Sequence, residues 1–160
     1  MATRIGIITV SDSRFAGDNV DLSGPAVSEA LSKFGYLEFE FAIVPDEIDP
    51  IQRAIHGMAP SCQIVFTTGG TGFAPRDITP EATIPLLNRR ADNLNELMRL
   101  KGLEKTPLSH VSRGVSGTLG TTLIVNLPGS PKAAREGIEA IGPLLAPILA
   151  ALIGDGCPHV

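Results

Sequence analysis

The run Phe66-Thr67-Thr68-Gly69-Gly70-Thr71-Gly72-Phe73-Ala74-Pro75-Arg76-Asp77-Ile78-Thr79-Pro80-Glu81-Ala82-Thr83 decides how the rest of the chain is read. It starts as the end of a β-branched, apolar segment over residues 63–68, turns through three glycines and closes on a helix-start signal. Thr79 is placed to cap, Pro80 suits the first helical position, and Glu81 falls in the first turn, where the helix dipole favours negative charge. Strand, glycine turn and helix start together predict an anion site. Backbone N–H groups reach a phosphate where no Cβ intervenes, and a helix N-terminus adds partial positive charge. The alternative is that the glycines only shape a tight strand-to-helix turn. The spacing is not that of a Walker A loop, since no Gly-Lys-Ser/Thr follows, nor that of the dinucleotide fingerprint.

Upstream, residues 4–10 form a nearly continuous apolar run, the pattern of a strand buried on both faces of a parallel sheet. Ser11-Asp12-Ser13-Arg14 follows at its C-terminal end, and polar residues continue to Ser23-Gly24-Pro25 before an amphipathic helix predicted over residues 26–34. Ligands of open α/β sheets bind at strand C-termini, which makes Asp12, Ser13, Asp21 and Ser23 candidates for contact; ordinary loop and capping chemistry is the competing reading. Residues 38–44 read as a second strand nearer a sheet edge. Asp46 follows at its end, and Asp49-Pro50 signals the start of a helix over residues 51–58. Position favours function for Asp46 over Asp49. His56 falls within that helix and reads as a surface or half-buried side chain.

Downstream, residues 79–87 read as helix, 88–92 as a connection and 94–103 as helix again; Arg89, Arg90 and Arg99 could contact an anion, but solvated or subunit-facing surface is the favoured reading for each. Residues 105–120 show little periodicity. Within them, Ser109-His110-Val111-Ser112-Arg113-Gly114 is a candidate site lining, and His110 has no carboxylate or nucleophile partner that would make a triad. Residues 121–127 predict a buried strand, and Pro128-Gly129-Ser130-Pro131 leads into a helix over residues 132–153, with Ser130 as cap and Gly129 permitting close approach. If the two strands are neighbours in the sheet, the two glycine turns at their C-terminal ends face one crevice.

The 160 residues, 43% hydrophobic with net charge −4, predict a single domain over residues 1–160. The acidic balance argues against a broad nucleic-acid face. Cys62 and Cys157 lack metal-motif spacing, and a reduced, cytoplasmic protein is expected. Residues 1–4 show no signal peptide. The most apolar run, 138–153, contains Glu139, Gly142, Pro143 and Pro147 and is too short for a membrane span.

The assembled residues resemble the molybdopterin adenylyltransferase family of molybdenum cofactor biosynthesis over nearly the whole chain. The specific marks are Thr67-Thr68-Gly69-Gly70-Thr71-Gly72, Arg76-Asp77-Ile78-Thr79-Pro80-Glu81-Ala82-Thr83 and Leu127-Pro128-Gly129-Ser130-Pro131. Supporting marks are Val10-Ser11-Asp12, Ser23-Gly24, Pro45-Asp46-Glu47 and Ser112-Arg113. The resemblance implies a three-layer α/β/α sandwich with a mostly parallel sheet, commonly trimeric, that transfers AMP from Mg-ATP to the phosphate of molybdopterin. It implies catalytic, Mg²⁺-holding roles for Asp46 and Asp77, and a downstream molybdenum-insertion protein as a possible partner. Expected phosphate, pterin or nucleotide contacts are Ser11, Asp12, Ser13, Ser23, Gly69, Gly70, Thr71, Gly72, Thr121, Pro128, Gly129 and Ser130. Carboxylates beside a polyphosphate repel it unless a cation lies between, which fits the metal role. Two departures stand out. Leu119 replaces an arginine and is expected to remove an anion contact, and Asn93-Leu94-Asn95-Glu96 replaces a Gly-Phe-Gly-Glu element. A non-catalytic pterin-binding or scaffolding relative is the alternative reading, and a generic phosphate-binding α/β domain is a third.

Overall fold

The computed structural model describes residues 2–156; Cys157 lies outside them. Strands β1 (Arg4–Val10), β2 (Glu38–Val44), β3 (Ile64–Thr68), β4 (Arg89–Arg90), β5 (Ser116–Leu119) and β6 (Thr122–Leu127) form one sheet in the order β2-β1-β3-β6-β5-β4. The first four in that order run parallel, and β5 and β4 continue antiparallel. Helices α1 (Asp12–Phe15), α2 (Ser23–Ser32), α3 (Ile48–Met58), α4 (Thr79–Thr83), α5 (Asn93–Leu103) and α6 (Pro131–Leu152) connect them. The expected three-layer α/β/α sandwich with a mostly parallel sheet is what forms.

The continuous apolar runs of β1, β3 and β6 are explained by cover on both faces. Ile5, Ile7, Phe66, Val125 and Leu127 pack under α2, α5 and α6, while Ile8, Val10, Val65 and Ile124 pack under α3 and α4. β2 at the edge is only partly covered, leaving Phe41 and Ile43 exposed. Parallel register aligns the strand ends: Thr9 pairs with Thr68, Val10 with Val44, and Thr68 with Leu127. The loops after β1, β2, β3 and β6 therefore emerge on one edge of the sheet.

Several boundaries differ from expectation. α2 starts three residues early, at Ser23, because the Asp21 carboxylate accepts the Ser23 and Gly24 N–H groups, each at 3.1 Å, and also the Thr9 hydroxyl at 2.9 Å. That occupation takes Asp21 out of the candidate contacts. α3 starts at Ile48 after Glu47, so Asp49 and Pro50 lie inside the first turn and Asp49 is no cap. The helix expected over 79–87 is α4 followed by a 3₁₀ turn, Ile84–Leu86. β4, β5 and the 3₁₀ turn Pro107–Val111 were expected as irregular chain. Among the described residues no helix is long and apolar enough to cross a membrane.

Candidate functional site

The turn after β3 is built from contacts that its own sequence does not announce. Gly69 has φ 106°, and a Cβ there would lie 2.3 Å from the Val10 carbonyl oxygen, so only glycine fits between β1 and β3. Gly70 also has positive φ, and a Cβ would meet Thr79 Oγ1 at 2.3 Å. Thr79 does not cap α4: its hydroxyl donates to the Gly69 carbonyl at 2.8 Å and its N–H to the Gly70 carbonyl at 3.0 Å, tying the turn to the helix start. Thr83 donates to the Thr79 carbonyl at 2.8 Å, and buried Asn126 donates to Thr83 and Thr67 at 3.1 and 2.8 Å. The turn is thereby wired into the middle of the sheet.

Two carboxylates flank it. Asp46 Oδ1 lies 3.1 Å from where a Gly70 Cβ would be, and Asp77 Oδ2 lies 2.8 Å from where a Gly72 Cβ would be. Asp77 Oδ2 also accepts the Ala74 N–H at 2.9 Å. The missing Cβ atoms are thus part of how both acids reach the turn. Asp46 and Asp12 exchange backbone-to-carboxylate hydrogen bonds, 2.9 Å each, across the ends of β1 and β2. Arg76 grips Asp12 through Nε and Nη2, both at 2.9 Å, and this grip, with the Asp46 N–H, holds the Asp12 carboxyl below its usual range. Asp46 goes the other way. Burial first, then the Asp12 and Asp77 charges, push its carboxyl up, against the Asp12 N–H and Arg76.

The turn after β6 completes the crevice. Ser130 caps α6, accepting the Ala133 N–H at 3.1 Å, with Pro131 at the first helical position. Gly69 and Gly129 are in close approach, a Gly129 Cβ position falling 3.2 Å from Gly69 Cα. Thr68 donates to the Pro128 carbonyl and Ser23 to the Gly129 carbonyl, each at 2.7 Å. Both glycine turns line a cavity of about 560 Å³ whose far wall is α5, the start of α6 and the Pro107–Val111 turn. Asp77 lines this cavity; Asp46 lines a second, of about 370 Å³, with Arg76 and Ile78.

The structure thus brings Gly69, Gly70, Thr71, Gly72, Asp77, Pro128, Gly129 and Ser130 together, with Asp12, Asp46 and Ser23 beside them. Ser11 and Ser13 lie next to these but face each other at 3.3 Å, and Ser11 caps α1. Thr121 is a correction: it precedes β6 and is exposed, at the opposite end of the strand from the crevice. Leu119 ends β5 at that same remote end, so its replacement of arginine removes nothing from this crevice. Asn95 is buried, donating to the Asn126 carbonyl at 3.0 Å and accepting the Ser116 hydroxyl, and it lines the cavity. Arg99 also lines the cavity, donating through Nη1 to the Ser112 and Gly114 carbonyls, each at 3.3 Å. Ser112 donates to Thr71 Oγ1 at 3.2 Å.

Residues 6–147 match the family described as "Probable molybdopterin binding domain". This chain belongs to that molybdopterin-binding family. A molybdopterin adenylyltransferase of Helicobacter pylori J99 is 41% identical over 155 residues, covering 94% of this chain and 88% of that one. The molybdopterin adenylyltransferase of Escherichia coli K12 is 37% identical over 142 residues, covering 86% and 73%. The crystal structure of the molybdopterin biosynthesis enzyme MoaB from Thermus thermophilus superposes with TM-score 0.90 at 46% identity, covering 98% of this chain and 99% of that one.

Proposed function

We propose that this chain is a molybdopterin adenylyltransferase, a nucleotidyltransferase that moves AMP from Mg-ATP to the terminal phosphate of molybdopterin. A phosphate oxygen of molybdopterin forms a bond to the α-phosphorus of ATP, the bond from that phosphorus to the bridging oxygen breaks, and pyrophosphate leaves. The observation that carries this reading is the convergence of two glycine turns and Asp77 on one strand-end cavity, with Asp46 beside Gly70 and facing a second. Relatives at 37–41% identity with that name support it.

The chain's own groups supply positioning. Backbone N–H groups of Gly70, Thr71 and Gly72 and of Gly129 and Ser130 meet phosphate oxygens, and the N-terminus of α6 adds partial positive charge. No general base is required, because a phosphate nucleophile is already largely ionised near neutral pH. Asp46 and Asp77 suit a magnesium ion: they are hard oxygen donors from separate loops. Among the described residues no group of three or more His, Cys, Asp or Glu is placed to hold a metal, so the two carboxylates would share the ion with substrate phosphate and water oxygens. That ion would screen the polyphosphate charge from the two carboxylates and stabilise charge during transfer.

The same reading includes a homotrimer, a cytoplasmic setting and transfer of the product to a molybdenum-insertion protein. Exposed Phe15, Phe41 and Ile43 support an assembly surface near the β2 edge, and the free Cys62 thiol suits a reducing compartment. The test is incubation of purified protein with molybdopterin and Mg-ATP. Formation of adenylylated molybdopterin and pyrophosphate is expected; binding of molybdopterin without product contradicts the enzyme reading.

A further inference from the structure

Residues 72–77 carry Asp77 but belong to no strand ladder, so their geometry depends on other contacts. Two hydrogen bonds shape the loop internally: the Asp77 N–H donates to the Ala74 carbonyl and the Ala74 N–H to Asp77 Oδ2, both at 2.9 Å. They close a turn without anchoring it. Arg76 ties the middle of the loop to Asp12, and Arg113, 36 residues beyond Asp77, anchors its two ends. Arg113 Nε donates to the Gly72 carbonyl at 2.8 Å, its Nη2 to the Asp77 carbonyl at 2.9 Å, and its Nη1 meets Glu81. The guanidinium carbon stands 5.7 Å from the Phe73 ring centroid, and the Arg113 N–H donates to the Thr71 carbonyl at 2.8 Å. One planar fork therefore fastens both ends of the loop.

Resting on the reading that Asp77 takes part in adenylyl transfer, we propose that Arg113 is the positioning residue for Asp77. By fixing the Gly72 and Asp77 carbonyls it sets the backbone from which the Asp77 carboxylate enters the crevice. Arg113 touches no reacting atom. Its donors point at loop carbonyls and Glu81, and its place in the chain, between the Pro107–Val111 turn and β5, ties the loop to the wall of the large cavity. Lysine is not an equivalent, because one ammonium cannot span two carbonyls and a carboxylate in this fixed fork. An orientation error of about an ångström at a catalytic group costs on the order of 100-fold in rate, which sets the scale of the expected effect.

The experiment compares wild type, Arg113→Met, Arg113→Lys and Glu81→Gln by adenylyl-transfer kinetics, Mg²⁺ titration of the rate, amide hydrogen exchange and thermal midpoint. Arg113→Met and Arg113→Lys should each lower kcat by about 10- to 100-fold, leave KM for molybdopterin within about threefold, and raise the Mg²⁺ concentration for half-maximal rate. The Ala74 and Asp77 amides should exchange at least about tenfold faster, with β3 and β6 unchanged. Glu81→Gln, which keeps both carbonyl contacts, should stay within about threefold of wild type. Wild-type kcat and loop exchange in Arg113→Met overturn the proposal. So does a rate loss that tracks faster exchange through β3 and β6, since that is general destabilisation. If Arg113→Met does not fold, Arg113→Lys carries the same comparison. A wild type that makes no adenylylated product overturns the adenylyltransferase reading instead, and loop exchange then decides whether Arg113 holds residues 72–77.

Discussion

The turn after β3 and the turn after β6 end neighbouring parallel strands, carry glycines and line one cavity, yet they are held in different ways. The second takes its helix start from its own sequence, with Ser130 capping α6 and Pro131 setting the first helical turn, while its Pro128 and Gly129 carbonyls accept from distant Thr68 and Ser23. The first depends on distant chain. Val10 presses on Gly69, Thr79 holds Gly69 and Gly70, Asn126 holds Thr83, and Arg113 holds Gly72 and Asp77. The difference follows from the task. A helix N-terminus needs only local capping to present N–H groups, whereas Asp77 must be placed against Asp46 from another strand end, and that takes long-range contacts.

Substitutions should separate the two turns. Gly69→Ala has the largest expected effect, about 3 kcal/mol or more, because positive φ and the immovable Val10 carbonyl both oppose a Cβ. Gly129→Ala, with its nearest contact at 3.2 Å and ordinary φ, should cost about 1 kcal/mol; equal losses in denaturant unfolding would erase the contrast. Next comes Thr79→Val, which strips a buried hydrogen bond from the Gly69 carbonyl at a cost of about 2 kcal/mol, against about 1 kcal/mol for Ser130→Ala at an exposed cap. Chemical denaturation of both variants checks that order.

The smallest effect is Glu81→Gln. The Arg113 hydrogen bond holds the Glu81 carboxyl below its usual range, so the pair stabilises above the ordinary carboxylate pKa and loses this as pH falls through the lowered value. Because the pair is partly exposed, the stability difference from wild type should be about 0.5 kcal/mol or less at pH 7 and should vanish in acid. A difference that grows on acidification would reverse the assigned sign.

This contrast also explains what was legible beforehand. β1, β3 and β6 stood out because parallel strands covered on both faces are continuous apolar runs, and Ser130-Pro131 was readable because its capping is local. Thr79 looked like the same kind of cap, but its hydroxyl serves Gly69, ten residues back, which no local pattern reveals. β5 escaped notice because Ser116-Gly117-Thr118-Leu119 has no apolar run, and β4 is two charged residues at an edge. Arg113 lay in a segment without periodicity, and its partners are 32 to 41 residues away. Thr121 was avoidable: strand direction, which placed Asp46 and Gly69 at C-terminal ends, puts Thr121 at an N-terminal end.

The central claim, that Asp77 serves the transfer step, is tested most directly by Asp77→Asn, with adenylyl-transfer kcat and molybdopterin affinity measured on the same preparation. A kcat loss of about 100-fold or more is expected, with affinity within about threefold of wild type. An unchanged kcat would remove Asp77 from the chemistry and contradict that claim.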